Sequence, residues 1–228
     1  MNYFIDSNVI LGYIFTLDNI HYYADNFFST DNYYFCSNHV DEEVSKVFHN
    51  KNSQYQLFLL KLSSYFNQFN DTDLINELDV HDKINSITPI GRLKVNEMHD
   101  VLDKIWNELN FDENHDSFEV KLKFHSFQND FLSSNNLRKH KILNELIIVP
   151  NHKIKDKIIL DLTKKEGLGK YLHDEDENIL FDANEFCRNN MKLNLQFVSA
   201  DQDFLKVIEI LKDYLCIKEY VNLMELNT

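Results

Sequence analysis

At 228 residues and 27.2 kDa, the chain has room for one large domain or for a domain carrying an insertion. With 43% hydrophobic residues, 4 Gly and 2 Pro, it is neither collagen-like, linker-like nor low in complexity, and a helix-rich fold with few tight turns is expected. The net charge of −14 argues against nonspecific nucleic-acid binding by the whole surface.

Tyr3-Phe4-Ile5 is a short aromatic and branched run that predicts a buried strand ending at Asp6. Ser7 or Asn8 then caps a helix with Val9, Ile10, Tyr13 and Ile14 at helical spacing. A second short helix is predicted over His21–Phe28, and a second strand over Tyr33–Cys36. Ser37 or Asn38 starts another helix, with Val40, Val44 and Val47 on one face and Glu43 beside them. Residues 54–145 read as mostly helical. The clearest stripe is Val95, Met98, Val101, Leu102, Ile105 and Leu109, a packing face to which Trp106 also belongs. Leu146–Val149, before Pro150, is either a strand or the apolar end of a helix. The last third predicts a helix over Asp174–Asn190, a strand over Leu195–Ser199, a helix over Asp203–Leu211 and a strand over Ile217–Val221. Strand–helix alternation at both ends implies a parallel α/β sheet interrupted by a helical insertion.

Cys36, Cys187 and Cys216 make an odd count without metal-ligand spacing, so reduced thiols in a cytoplasm are expected. No apolar run approaches the ~18 residues of a membrane span, and the N-terminus meets Asp6 without a basic region, unlike a signal peptide. The ten histidines show no His-Glu-x-x-His pattern and read as surface or packing residues, His173 included. Gly167-Leu168-Gly169 reads as a turn rather than a nucleotide loop. Charge is uneven: residues 1–45 carry seven acids and no Lys or Arg, whereas Arg138–Lys170 is +5. That segment holds Arg138, Lys139, Lys141, Lys153, Lys155 and Lys157, which read as a solvated helix face or as a basic strip for a phosphate backbone.

In a parallel α/β sheet, ligands bind beyond the carboxyl ends of the strands. Asp6 closes the first strand, Glu43 lies one helical turn after Val40, and Asp201 and Asp203 follow the Phe197-Val198-Ser199 strand. Asp176 precedes Ile179, Leu180 and Ala183 at helical spacing and shares their inward face. Carboxylates converging in one cleft repel one another and lose hydration, penalties that a hard divalent cation relieves. Mg²⁺ or Mn²⁺ held this way supports phosphodiester hydrolysis without a Ser or Cys nucleophile.

Tyr3-Phe4-Ile5-Asp6-Ser7-Asn8-Val9-Ile10 resembles the first motif of PIN-domain ribonucleases, the superfamily that includes the VapC-type toxins. Ser37-x-x-Val40-x-x-Glu43 resembles the second, Asp176-x-x-Ile179-Leu180-x-x-Ala183 the third, and Phe197-Val198-Ser199-Ala200-Asp201-Gln202-Asp203-Phe204 the fourth. The resemblance covers residues 1–50 and 170–222. It implies a three-layer α/β fold with a central parallel sheet flanked by helices. It further implies a single domain over 1–228, with a core at about 1–50 and 146–228 and an inserted helical subdomain at about 51–145. The interval from Glu43 to Asp176 is longer than in compact toxin members, which suggests a larger stand-alone nuclease. Residue by residue, Asp6, Glu43, Asp176 and Asp201 match the metal-binding and catalytic acids. Asp203 is an additional ligand candidate, and Ser7, Asn8 and Ser199 match supporting polar positions. Glu42 competes with Glu43 for its place, and Asp174 or Glu175 with Asp176. The implied activity is metal-dependent endoribonucleolytic cleavage of RNA with Mg²⁺ or Mn²⁺. The implied partners are a second copy of the chain and an antitoxin or regulatory protein, with no membrane association. The alternative expectation is a PIN-fold RNA-binding or protein-interaction module with little or no turnover.

Overall fold

A computed structural model describes residues 1–152, 157–217 and 219–226, with the side chains of Ile158 and Leu205 outside the description. In chain order the first half contains β1 (Asn2–Ile5), α1 (Ser7–Ile14), α2 (His21–Phe28), β2 (Tyr33–Ser37), α3 (Asn38–Phe66), β3 (Leu74–Asn76), α4 (Glu77–Asn85) and α5 (Val95–Glu108). The second half contains β4 (Asn114–Asp116), α6 (Ser117–Glu145), β5 (Ile147–Val149), α7 (Lys157–Lys165), α8 (Asp174–Asn189), β6 (Leu195–Ser199), α9 (Gln202–Leu211) and β7 (Glu219–Asn222). Two compact units result, Met1–Val47 with Arg138–Thr228, and Phe48–Leu137.

The first unit is built on a five-stranded sheet in the order β5-β2-β1-β6-β7, with every neighbouring pair parallel. Parallel strands buried on both faces read as continuous hydrophobic runs. Phe4, Ile5, Phe197 and Val198 accordingly have no exposed surface. Phe4 pairs in register with Phe197, and their rings stack at 6.1 Å. Phe186 of α8 covers that region, 5.0 Å from Phe35 and 6.3 Å from Phe4 between ring centroids. From β1 the chain builds outward through β2 and β5, then crosses to the other side of β1 for β6 and β7. The order of strands thus reverses at the β1/β6 junction, the place where open α/β sheets form a crevice.

The start of α1 is set by Asp6, whose backbone is extended and whose carboxylate Oδ1 accepts the Ser7 N–H at 2.7 Å. Gly12 permits the close passage of the following segment: a Cβ there would lie 2.5 Å from Ile20 Cγ1. Leu146–Val149 divides as a strand after a helix. α6 ends at Glu145, and Ile147–Val149 pairs with Phe35–Ser37. The last strand spans Glu219–Asn222 among the described residues, against the predicted Ile217–Val221. Cys187 and Cys216 are free thiols whose sulfurs approach to 2.7 Å.

The second unit is mainly helical, and the predicted stripe forms its centre. Met98, Val101, Leu102, Ile105 and Trp106 of α5 are buried, as are Phe58, Leu62, Phe66, Val80, Ile84 and Phe124. Phe66 and Phe124 meet edge to face at 5.0 Å. A two-stranded antiparallel ladder, β3 with β4, joins this unit within the segment read as mostly helical. Among the described residues, no helix is long and apolar enough to cross a membrane.

Candidate active site

Two strand ends meet at the β1/β6 junction, and one hydroxyl ties them together. Ser199 Oγ donates to Asp6 Oδ2 at 2.8 Å and accepts from Asn8 Nδ2 at 3.0 Å and from the Asp201 N–H at 2.9 Å. One proton and two lone pairs are all that a serine hydroxyl has, so its capacity is filled. Asn8 Oδ1 accepts from the Ala200 N–H at 3.1 Å, clamping the turn after β6 to the first turn of α1. Asp201 caps α9 by accepting the Asp203 N–H at 2.7 Å, and the Tyr220 hydroxyl donates to the Asp201 carbonyl at 2.7 Å. Burial, together with the charges of Asp6 and Asp201, raises the Tyr220 phenol above its ordinary value and keeps it a donor.

Helices α3 and α8 supply the other acids. Glu43 lies in the second turn of α3, and its Oε2 is buried without a hydrogen-bond partner. The Ser7 hydroxyl lies 3.4 Å from Asp6 Oδ1 and also serves Glu43. Asp176, in the first turn of α8, accepts the His173 N–H at 3.1 Å.

The electrostatics join the four acids. Burial lifts the Asp6 carboxyl to about 7, aided by the charges of Glu43 and Asp176 and opposed by the hydrogen bonds from Ser199 and Ser7. Burial raises Glu43, with Asp176 and Glu175 adding to the effect and Ser7 and Lys46 opposing it. Burial raises Asp176 as well, with Asp201 and Glu175 pressing in the same direction. Asp6 is thus coupled by repulsion to Glu43 and Asp176, and Asp176 to the charge of Asp201. The donor set is entirely carboxylate oxygen, and one of those oxygens is buried and unpartnered, with the charge of Lys46 opposing the repulsion at Glu43. In donor chemistry these residues suit a hard divalent cation of the Mg²⁺ or Mn²⁺ class, whereas the groups whose ligand atoms already lie within 4.8 Å of one another are elsewhere among the described residues.

The neighbouring acids differ. Glu42, Asp174 and Glu175 are exposed, and Glu175 faces Lys46 at 3.4 Å. A recess of about 150 Å³ beside the cluster is lined by His39, Glu42, Glu43, Lys46, Glu175 and Ile179. Asp203 is turned to a different partner, Lys206 Nζ at 2.6 Å.

Of the basic strip, Arg138 is held inside its own unit. Its guanidinium is 2.7 Å from Asp25 Oδ1 and stands 5.0 Å over the Tyr13 ring. Lys141 is exposed beside the same tyrosine, 6.0 Å from the ring centroid. Lys139 is half-buried and Lys157 exposed, while Lys153 and Lys155 lie outside the described residues.

A further group escaped the sequence reading, in which histidines were surface or packing residues. His39, His152 and Asp182 bring potential ligand atoms within 4.8 Å of one another. The only trace in the sequence is that His39 and His152 each follow the end of a strand, and the adjacency of β2 and β5 is not legible there.

No family model matches the chain, and neither a curated protein nor a solved structure matches it.

Proposed function

We propose that this chain is a metal-dependent endoribonuclease of the PIN type, hydrolysing RNA phosphodiester bonds at the cluster of Asp6, Glu43, Asp176 and Asp201. The observation that carries the reading is the charge coupling of Asp6 to Glu43 and Asp176, and of Asp176 to Asp201, beside the β1/β6 switch point, with a buried unpartnered oxygen on Glu43. Asp6, Glu43, Asp176 and Asp201 would hold Mg²⁺ or Mn²⁺. When bound, the ion neutralises phosphate charge, activates water and stabilises the leaving oxygen.

The chain's own residues do the positioning. Ser199 fixes the rotamer of Asp6 and favours its ionised form, and Ser7 acts on Glu43 in the same sense. Asn8 locks the turn that carries Asp201. Asp6 and the Asp201 segment stand at neighbouring strand ends, and Glu43 and Asp176 act on Asp6 through their charges, an arrangement that supports a shared site for a phosphodiester.

The test is cleavage of mixed cellular RNA in Mg²⁺, Mn²⁺ or EDTA, with Asp6→Asn and Glu43→Gln purified in parallel and their folding checked by circular dichroism. Cleavage that needs the metal and falls at least 100-fold in both variants supports the reading. Cleavage that survives EDTA and both substitutions removes it.

A second reading, a binding module with little turnover, draws on the commitment of Arg138 to Asp25 within a chain of net charge −14. A folded protein that retains RNA or protein binding but shows no metal-dependent cleavage would favour it.

A further inference from the structure

The first unit contains a second set of ligating side chains that the acid cluster does not use. His39 is the second residue of α3, His152 follows β5 by three positions, and Asp182 lies on α8. The Asp182 side chain has no exposed surface. Its Oδ1 accepts the His152 N–H and meets His152 Nδ1, both at 2.5 Å. Its Oδ2 is buried and has no hydrogen-bond partner. The nearest cationic candidate, His39 Nε2, stands 4.0 Å from that oxygen, beyond hydrogen-bond reach.

A fully buried carboxylate oxygen without a donor is uncommon in folded proteins and points to a missing partner. Here two imidazoles approach the carboxylate from different segments, His152 at Oδ1 and His39 toward Oδ2, with ring centroids 6.2 Å apart. A simple His39–Asp182 ion pair would close the gap to direct contact. An ion bonded at about 2.0–2.2 Å to nitrogen and oxygen spans it after a small inward movement of the imidazole.

The geometry points to a transition-metal site in which His39, His152 and Asp182 bind one Zn²⁺ or a similar borderline divalent ion, with a fourth position open to water or an added donor. Two imidazole nitrogens with one carboxylate suit Zn²⁺ or Co²⁺, whereas Mg²⁺ prefers oxygen ligands alone. The site is thus chemically distinct from the all-oxygen cluster of Asp6, Glu43, Asp176 and Asp201. It does not depend on the nuclease reading. Its consequence is mechanical: the ion would fasten the start of α3, the segment after β5 and α8 to one another. The second unit has a comparable group, Glu77, His81 and Asp103. There His81 Nε2 already reaches Asp103 Oδ1 at 3.0 Å, and none of its carboxylate oxygens is buried and unpartnered among the described residues.

The test is metal titration of the full chain after stripping with chelator. Co²⁺ is the probe, because its visible absorption reports a low-coordinate nitrogen and oxygen environment, and Zn²⁺ is the competitor. The expected result is one saturable Co²⁺ equivalent, displaced by Zn²⁺ and weakened about tenfold or more by His39→Gln or Asp182→Asn. His39 has 31% of its side chain exposed, so His39→Gln keeps the test valid if Asp182→Asn fails to fold. Glu43→Gln and His81→Gln should leave this equivalent in place. Absence of the equivalent overturns the proposal, as does an unchanged affinity in His39→Gln. Its loss in Glu43→Gln or His81→Gln would assign it to another cluster and overturn the proposal equally.

Discussion

Position 6 requires an acceptor at both oxygens. Asp6 Oδ1 receives the Ser7 N–H, and Oδ2 receives the Ser199 hydroxyl, whose two lone pairs are already taken. An asparagine presents only one acceptor and leaves its NH₂ facing a donor in either orientation. Ser199→Ala breaks the same network from its centre, stripping Asn8 and the Asp201 N–H of their acceptor. Each orphaned buried group costs about 1–3 kcal/mol, so urea unfolding should register a loss of about 2 kcal/mol or more. A change below about 0.5 kcal/mol would mean that the hydroxyl is not shared as described. Loss of the Ser199 donor also raises the Asp6 carboxyl further and should move the pH profile of cleavage upward. The raised Asp6 carboxyl makes its own prediction for metal-free protein. Its folded value of about 7 lies above the ordinary 3.8, so its stabilising contribution is full below about 4 and disappears as pH rises through about 7. The difference is on the order of 4 kcal/mol. Chelator-treated protein should therefore lose stability between pH 5 and pH 8, and this slope should flatten in Asp6→Asn. An equal slope in both proteins would contradict the assignment.

At the scale of elements, position 12 inside α1 faces the side chain of Ile20, which precedes α2, too closely to admit a side chain. Gly12→Ala places a methyl 2.5 Å from Ile20 Cγ1, an overpacking that should cost about 1–3 kcal/mol. Adding Ile20→Ala should recover part of that loss, because the two sites share one contact. Strict additivity in thermal unfolding would rule the clash out. The same scale shows what the sequence carries. β1, β2 and β6 are legible because strands buried on both faces are dominated by apolar residues, with Gln196 as an interruption in β6. Asp6, Ser199 and Asp201 are legible with them, since each stands where such a run stops. The β3/β4 ladder is not legible: Leu-Ile-Asn pairs with Asn-His-Asp, three residues each, with no alternation to mark a face. Nor is the His39, His152 and Asp182 group, because its members share no spacing and are gathered only by the order of strands. Leu146–Val149 had two local solutions, and pairing with β2 decides between them.

For the whole molecule, a net charge of −14 concentrates self-repulsion wherever acids are buried together. Ligand that binds the folded state alone stabilises it by mass action, about 2.7 kcal/mol at a hundredfold excess over Kd. For a chain of this size that corresponds to a rise in Tm of roughly 5–10 °C. Mg²⁺ or Mn²⁺ should produce such a rise at pH 8 and a smaller one at pH 5.5, where protons compete for Asp6. The increment should shrink in Glu43→Gln. A metal response that is independent of pH and unchanged in that variant would separate the ion from the cluster.

The β1/β6 junction also imposes a schedule. Asp6 precedes Ser199 by 193 residues, and the second unit lies between them in the chain. At about 5–20 residues per second, translation delivers Ser199 roughly 10–40 s after Asp6. Throughout that interval the nascent chain carries its first carboxylate without the hydroxyl that orients it or the Asp201 that completes the set. If the centre cuts RNA, it does so only after its own message has been read past the codon for Asp201.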